Sequence, residues 1–272
     1  MSDARAFAPG AGLRRRHVSI AAGQQGYCMR IALDAMGSDH APGPEVRGAV
    51  DASLQDDTEY VLVGDRGRLE EALAPYKRRG RVNIVHASQT IRMDDQPVMA
   101  VRQKKDSSLL VALRLVKNGE ADACVSAGNT GAVMVAARTI LGPIRGVTRS
   151  AICQTVPTIK KPVLLIDLGA NVDCTARQLC DFAEMGMLYM EHVLRRKNPR
   201  VGLLNIGEEH VKGNDLAKAV HRNLSASGHI NFIGNIEPRA IYNGDADVVV
   251  CDGFVGNVVL KTTEATAALI KN

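Results

Sequence analysis

Short apolar segments alternate with amphipathic helical segments along most of the chain, and this alternation limits the possible folds more than any single motif. A strand that is apolar on both faces must be covered on both faces, as in parallel sheets with crossover helices on either side. The sequence therefore predicts an α/β fold with a mostly parallel sheet. Strands are predicted at residues 29–34, 60–64, 82–86, 122–126, 150–156, 162–167, 200–205, 230–234 and 247–251.

Helical periodicity fills most of the segments between these strands, and local signals mark several helix ends. Pro97 predicts the start of a short helix, and Gly119 predicts the end of the helix that Ser107 or Ser108 caps. Helices are predicted at residues 45–54, 68–76, 109–118, 132–141, 176–196 and 214–226, and from about 252 onward.

The length of 272 residues suits a single large α/β domain, and a hydrophobic content of 46% is enough for its core. We predict one domain over residues 29–272, because Met29 directly precedes a strong strand. Residues 1–28 are rich in Gly, Ala and Arg and are predicted to form a disordered extension; a transit peptide is a less favoured alternative. No apolar run approaches the ~20 residues of a transmembrane helix.

The charge and cysteine content narrow the function class. The net charge is +5, and residues 1–28 supply +3 of it through four arginines against one aspartate. The slightly basic remainder suits an anionic small substrate or an acidic partner. Aromatic residues make up only 3%, which argues against binding of nucleic acid on stacked aromatic platforms. The six cysteines form no Cys-x-x-Cys pair, which is typical of a cytoplasmic protein without a zinc site or disulfide framework.

A strand, a glycine-rich turn and a helix follow one another at residues 122–141. Such a turn can bind an anion, because the first N–H groups of a helix lack internal partners and the helix dipole favours negative charge there. The alternative is an ordinary turn in which Asn129 or Thr130 caps the helix. The residues that would contact the anion are Ser126, Gly128, Asn129, Thr130 and Gly131.

Several predicted strands end in polar, glycine-containing loops. In an open α/β sheet, ligands bind outside the carboxyl ends of the strands. We therefore expect the residues at these strand ends to face one shared cleft, although each one alone could simply brace its own loop. These residues are Asp34, Ser126, Asp167, Asn205 and Asp252.

Common signatures of other enzyme classes are missing. The sequence contains no Gly-x-Gly-x-x-Gly after a strand, no Gly-x-x-x-x-Gly-Lys-Ser/Thr, no His-Glu-x-x-His and no Gly-x-Ser-x-Gly. These absences argue against a standard dinucleotide enzyme, a P-loop nucleotidase, a zincin and an α/β-hydrolase.

Seven loop motifs together resemble the PlsX family, the phosphate acyltransferases of bacterial phospholipid synthesis. They occur in the family's order from Met29 to the end of the chain. The motifs are Asp34-Ala-Met-Gly-Ser-Asp-His40, Lys104-Lys-Asp-Ser-Ser-Leu109, Ser126-Ala-Gly-Asn-Thr-Gly-Ala132, Asp167-Leu-Gly-Ala-Asn-Val-Asp-Cys174, Asn205-Ile-Gly-Glu-Glu209 with Lys212-Gly-Asn214, Asn231-Phe-Ile-Gly-Asn-Ile-Glu237, and Asp252-Gly-Phe-Val-Gly-Asn-Val258 with Lys261.

The resemblance implies a reaction and a set of partners. The family transfers a long acyl chain from acyl carrier protein to inorganic phosphate, and a membrane glycerol-3-phosphate acyltransferase then uses the acyl phosphate. The implied fold is a three-layer α/β/α, Rossmann-like sandwich related to phosphotransacetylases and isopropylmalate dehydrogenases. The family also implies a cytoplasmic homodimer, peripheral membrane association, and no metal or organic cofactor.

The sequence departs from the family pattern in three places. Ser38 stands where the family has a second glycine, and a side chain there would strain the loop if the position required a positive φ. Residues 1–28 have no counterpart in the family. The chain ends at Asn272 inside a predicted helix, whereas family members continue, so we expect the domain to be incomplete at its C-terminus.

The implied reaction needs no activated Ser or Cys, because phosphate is already a nucleophile at neutral pH. The enzyme must orient phosphate against a thioester and stabilise the oxyanion that forms. We assign phosphate to the turn at residues 126–131, with Lys105 as a counter-charge or as a contact for the acidic carrier protein. A solvated surface position is the alternative for Lys105.

Other loop residues are candidates for catalysis or substrate binding. Lys212 is a candidate oxyanion or phosphate contact, and His40 could protonate the leaving thiol or be structural. Asp173 could bind substrate or cap the next helix, and Cys174 is a less favoured covalent acyl carrier. The remaining candidates are Asn171 and Asn205 for catalysis, and Asn214, Asp252 and Asn257 for substrate binding.

Three other functions stay open at this stage. A phosphotransacetylase would use coenzyme A thioesters, and a dehydrogenase of the related fold would bind a nicotinamide. The third is an inactive fragment that only binds a partner.

Overall fold

The computed structural model describes residues 28–144 and 146–271. The disordered extension predicted for residues 1–28 lies outside this range except for Cys28. Within it, nine strands and nine helices alternate as β1(Arg30–Asp34), α1(Gly43–Ser53), β2(Glu59–Gly64), α2(Arg66–Leu73), β3(Val82–His86), α3(Pro97–Gln103), α4(Ser108–Asn118), β4(Ala123–Ser126), α5(Thr130–Ile140), β5(Cys153–Val156), β6(Val163–Ile166), α6(Ala176–His192), β7(Val201–Leu204), α7(Asp215–Ser225), β8(Phe232–Ile236), α8(Pro238–Asn243), β9(Val248–Val250) and α9(Gly253–Lys271).

The described strands pair in two sheets. The first is fully parallel and has the order β3-β2-β1-β4. The second has the order β5-β6-β9-β7-β8, in which only β5 runs antiparallel. The residues expected at one shared cleft therefore belong to two sheets: Asp34 and Ser126 end strands of the first, whereas Asp167, Asn205 and Asp252 follow strands of the second.

Both faces of each sheet are covered, as the apolar strands require. Along β6, Leu164 and Ile166 belong to one apolar cluster, whereas Val163 and Leu165 belong to another. Val61 and Leu62 of β2 divide between two clusters in the same way. Because neighbouring strand residues point to opposite faces, each sheet lies between two apolar layers. The predicted α/β/α fold class is confirmed.

Helix α6 packs closely on the second sheet through a glycine. Phe182 and Ala183 of this helix are fully buried. A Cβ on Gly186 would lie 2.5 Å from Cγ1 of Val248, so the helix can approach β9 only because this residue has no side chain. The absence of a side chain at Gly186 therefore sets the distance between α6 and the sheet.

Local signals predicted some helix ends correctly: α3 begins at Pro97 as expected, but the side chain of Ser107, at the N-cap of α4, forms no capping hydrogen bond. Gly119 ends α4 in the left-handed region, with a φ of 75°. Helix α6 stops at His192, short of the predicted residue 196, and Arg195 just beyond it has a φ of 55°. Helix α8 was not predicted. Ser38 is not strained in the way we expected, because among the described non-glycine residues only Arg195 and Asn198 have a positive φ.

Two glycines inside helices offer a matched test of this packing. The Gly186→Ala substitution should lower the free energy of unfolding by about 1–3 kcal/mol, because the added methyl group overpacks the interface with Val248. The Gly48→Ala substitution in α1 should raise it by about 0.5–1 kcal/mol, because no atom lies within 4 Å of the added Cβ and alanine favours the helix. Urea unfolding of both variants measures the change in the free energy of unfolding relative to wild type. Equal changes in the two variants would contradict the close approach of α6 to the sheet.

Candidate active site

The turn between β4 and α5 is tied to the end of β1 by a buried carboxylate. The side chain of Asp34 is only 2% exposed and accepts a hydrogen bond of 2.7 Å from Oγ of Ser126. Oγ of Ser126 in turn accepts a hydrogen bond of 3.1 Å from the N–H of Gly128. A Cβ on Gly128 would lie 3.1 Å from Cα of Gly37, so the two loops touch through glycines. Ser126 and Gly128 therefore shape the turn from inside.

The side-chain amide of Asn129 forms hydrogen bonds through both its oxygen and its nitrogen. Its Oδ1 accepts a hydrogen bond of 3.0 Å from the N–H of Ala132, which makes it the N-cap of α5. Its Nδ2 donates to the carbonyl groups of Met93 and Asp95, at 3.1 and 2.9 Å. The structure thus agrees with Asn129 as a cap and also shows it anchoring residues 92–95.

The same segment is held from the other side by Lys104. Nζ of Lys104 forms an ion pair with Asp95 and donates to the carbonyl of Thr90. The hydrogen bond from Lys104 is the largest of the effects that lower the pKa of Asp95 below its ordinary value. The neighbouring Lys105 donates to the carbonyl of Val101 at 3.3 Å. Lys104 therefore braces a loop, and Lys105 contacts the backbone of α3.

In the second sheet, Asp167 organises the loop after β6. Its side chain is fully buried and accepts hydrogen bonds from the N–H groups of Ile152, Ala170 and Asn171. Asn171 also donates Nδ2 to Asp167 and to the carbonyl of Ser150, both at 2.8 Å. The carbonyl of Asn171 accepts from the N–H of Gly253, which fixes the start of α9. Asn171 therefore links two loops and a helix.

A cleft of 560 Å³ lies between α5 and α9, and α3, β5 and the loop after β6 complete its lining. Within the described chain, the N–H groups of Thr130 and Gly131 have no acceptor, so two donors of the first turn of α5 are available there. Asn257 and Lys261 line the cleft from α9, and Gln154 lines it from β5. The cleft thus combines a helix N-terminus with amide groups and an ammonium group.

A second cavity, of 400 Å³, lies on the other side of α9. Three predicted site residues, Asn205, Asn214 and Asp252, line it. All three also stabilise local backbone: Asn214 caps α7 through the N–H of Ala217, Asp252 accepts from the N–H of Val255, and Asn205 accepts from the N–H of Ile206. The remaining lining is mainly aliphatic.

The predicted residues thus separate into three groups. Thr130, Gly131 and Asn257 line the larger cleft, and Asn205, Asn214 and Asp252 line the second cavity. Eight described residues belong to neither lining: His40, Lys105, Ser126, Gly128, Asn129, Asn171, Asp173 and Lys212.

Four members of the last group are exposed, and Lys105 is one of them. His40 lies in the loop after β1, and Lys212 lies between β7 and α7. Asp173 is exposed and does not cap the next helix, because Thr175 is the N-cap of α6 and forms a capping box with Gln178. The cap that we considered for Asp173 is therefore wrong, since the threonine lies two residues closer to the helix.

The thiol of Cys174 is poorly suited to carry an acyl group. Burial is the main effect that raises its pKa above the ordinary value. Sγ donates a hydrogen bond of 3.4 Å to the carbonyl of Asn171. Because the thiolate is the nucleophilic form, these two features favour direct attack by phosphate over a covalent intermediate at Cys174.

Lys261 belongs to the last of the seven loop motifs, but the sequence analysis assigned no role to it or to Gln154. Lys261 lies four residues after Asn257, a spacing that places both side chains on one helix face and could have identified it. No sequence signal pointed to Gln154. It lies on β5, the antiparallel strand at the edge of the second sheet, whereas the site was expected at the ends of parallel strands. In the structure Lys261 forms an ion pair of 2.8 Å with Glu264, and both side chains are more than half exposed.

Among the residues that the structure describes, no three His, Cys, Asp or Glu side chains are arranged to hold a metal ion. None of the helices there is both long enough and apolar enough to cross a bilayer.

A family model described as "Fatty acid synthesis protein" matches residues 29–272. Curated relatives named phosphate acyltransferase include those of Desulfitobacterium hafniense, 52% identical over 243 residues, and of a Nostoc species, 51% identical over 245 residues. In both cases the match covers 89% of this chain and 72% of the relative. The chain belongs to the phosphate acyltransferase family. The resemblance found in the loop motifs is therefore confirmed.

Solved structures support the fold of this family member. A phosphotransacetylase from Streptococcus pyogenes is 17% identical, has a TM-score of 0.67, and matches over 89% of this chain and 82% of its own. The EutD phosphotransacetylase from Staphylococcus aureus is 16% identical, has a TM-score of 0.62, and matches over 89% of this chain and 83% of its own. At these identities the likeness shows the fold alone.

The double role of Asn129 can be tested by comparing two substitutions. Asn129→Ala removes both the cap and the loop contacts, so the free energy of unfolding should fall by about 1–3 kcal/mol. Asn129→Ser keeps an oxygen that can cap α5 but cannot reach the carbonyls of residues 92–95. In urea unfolding, the free energy of unfolding of the Ser variant should lie between those of wild type and the Ala variant. Amide hydrogen exchange in residues 90–96 should be faster in both variants than in wild type. Unchanged exchange would show that Asn129 does not anchor this loop.

Proposed function

We propose that the protein transfers an acyl group from a thioester to inorganic phosphate in the cleft between α5 and α9. The observation that carries this proposal is the meeting of the open N-terminus of α5 with Asn257 and Lys261, in a chain related to phosphate acyltransferases. Phosphate is the anion that this combination of N–H, hydroxyl, amide and ammonium donors would bind.

Phosphate lies at the first turn of α5 in this proposal. The N–H groups of Thr130 and Gly131 donate to its oxygens, and the exposed hydroxyl of Thr130 adds a third donor. Lys261 supplies positive charge from the facing helix once its side chain turns from Glu264. Ser126, Gly128 and Asn129 hold the shape of this turn, so they act on phosphate through the backbone.

The reaction needs only positioning and charge stabilisation. A phosphate oxygen attacks the thioester carbonyl carbon, a tetrahedral oxyanion forms, and the carbon–sulfur bond breaks to release the thiolate. Asn257 is one of two side-chain amides in the cleft, with Gln154, and in this proposal it donates to the oxyanion. A thiolate leaves without an acid, so the exposed position of His40 agrees with a minor role. Lys105, Lys212 and Asp173 remain candidates for contact with the rest of the donor.

The natural donor in this proposal is a long-chain acyl thioester of acyl carrier protein. The family resemblance and the slightly basic body support this choice, because carrier protein is acidic. The same resemblance supports a homodimer in the cytoplasm, peripheral association with membrane, and use of the product by a membrane glycerol-3-phosphate acyltransferase. A comparison of acyl-carrier and acyl-coenzyme A donors separates this proposal from a phosphotransacetylase.

A matched pair of substitutions in α9 tests the phosphate site. Lys261→Gln removes the facing ammonium, so the KM for phosphate should rise about 10–100-fold while the KM for the acyl donor stays the same. Glu264→Gln frees Lys261 from its ion pair and should leave the KM for phosphate unchanged or lower it. Phosphate-dependent release of thiol measures both constants. Equal constants in K261Q and wild type would remove Lys261 from the site.

A further inference from the structure

The second cavity beside α9 has an aliphatic interior and a polar rim. Its floor is formed by Leu179, Leu203 and Cys251, each no more than 3% exposed. Burial raises the pKa of the Cys251 thiol, so the floor carries no charge at neutral pH. Leu216 of α7 and Val259 of α9 extend the walls. A cavity of this composition favours a hydrocarbon group over a polar one.

The rim of this cavity places polar groups where a ligand would enter. Asn205, Asn214 and Asp252 lie at the carboxyl ends of β7 and β9 and at the start of two helices. Their oxygen atoms already accept backbone N–H groups, so the rim is fixed in place before any ligand binds. The ligand that fits therefore has an apolar tail and a polar head that remains outside.

The cavity and the cleft proposed for phosphate share one helix. Val255 and Val259 of α9, together with Asp252 just before the helix, line the apolar cavity, whereas Asn257 and Lys261 line the cleft. Residues two apart on a helix point in nearly opposite directions, so the two spaces lie on two sides of the first turns of α9. A helix with its side chains is about 10–12 Å across, which is less than the length of a long acyl chain.

We infer that the apolar cavity between α7 and α9 binds the acyl chain of the donor, so that it sets the chain-length preference. This inference rests on the proposed function, which brings an acyl thioester to the neighbouring cleft. In this inference the acyl chain passes around the outside of the N-terminal end of α9, because Gly253 and the backbone of Asn171 are hydrogen-bonded and in contact there. Each methylene that enters the cavity should lower the KM of the donor about fourfold, the effect of about 0.8 kcal/mol of burial.

Val255 and Val258 offer a matched pair of substitutions for the test. Val255 lies on the rim and is 38% exposed, whereas Val258 is 50% exposed on the same helix and lines neither space. Both positions are exposed on α9, so phenylalanine at either one should have a similar effect on folding. Only Val255→Phe fills the entrance of the cavity.

The experiment compares palmitoyl and butyryl thioesters in phosphate-dependent thiol release by the full chain. In wild type, palmitoyl should be preferred. V255F should lower the ratio of palmitoyl to butyryl kcat/KM at least about tenfold, the effect of excluding two methylenes, and V258F should keep the wild-type ratio. The inference is overturned if V255F keeps the ratio, or if V258F lowers it equally.

A binding measurement separates this inference from the proposed function. A fluorescent long-chain fatty acid should bind wild type and V258F, be displaced by palmitate but not butyrate, and bind V255F at least about tenfold more weakly. If the probe binds in this way but no donor yields acyl phosphate, the proposed function fails and the cavity assignment stands. If acyl phosphate forms but neither probe binding nor chain-length preference responds to V255F, the cavity assignment fails and the proposed function stands.

Discussion

Two buried aspartates, one at the end of a strand in each sheet, determine how the loops of this protein are arranged. Asp34 and Asp167 are 2% and 0% exposed, and their side chains accept two and four hydrogen bonds from the segments around them. A buried carboxylate is stable only when its oxygens are hydrogen-bonded, so the loops must supply the donors. Asp34 holds the turn before α5 through Ser126, and Asp167 holds the start of α9 through Asn171.

The arrangement of these loops explains the chemistry that we propose. The turn before α5 is braced from within by Ser126 and from outside by Asn129. Thr130 and Gly131 line the cleft, and their N–H groups have no acceptor in the described part of the chain. The glycines at 253 and 256 let α9 approach the loop after β6, because a Cβ at either would overlap the backbone of Asn171 or Asp167. Donors that are fixed before the substrate arrives need no reorganisation during the reaction.

The sequence predicted the strands and helices well, but it predicted the roles of individual polar side chains less well. Strands such as β2 and β6 were predictable because their apolar runs are continuous, and α4 because Gly119 ends it. The division into two sheets was not, since strand pairing joins residues far apart in the chain. Asn129, for which the sequence also allowed a helix cap, and Asn171 both brace loops in the structure. The sequence could not show this, because the same amide group can brace a loop or contact substrate. Helix α8 was missed because it has only six residues.

The most direct test of the central claim is a measurement of acyl phosphate formed by the full chain from long-chain acyl carrier protein and inorganic phosphate, trapped with hydroxylamine. The account predicts that free carrier protein and acyl hydroxamate appear in equal amounts, that both require phosphate, and that the release of carrier saturates with phosphate concentration. Release of carrier that does not depend on phosphate, or no release at any phosphate concentration, would contradict it.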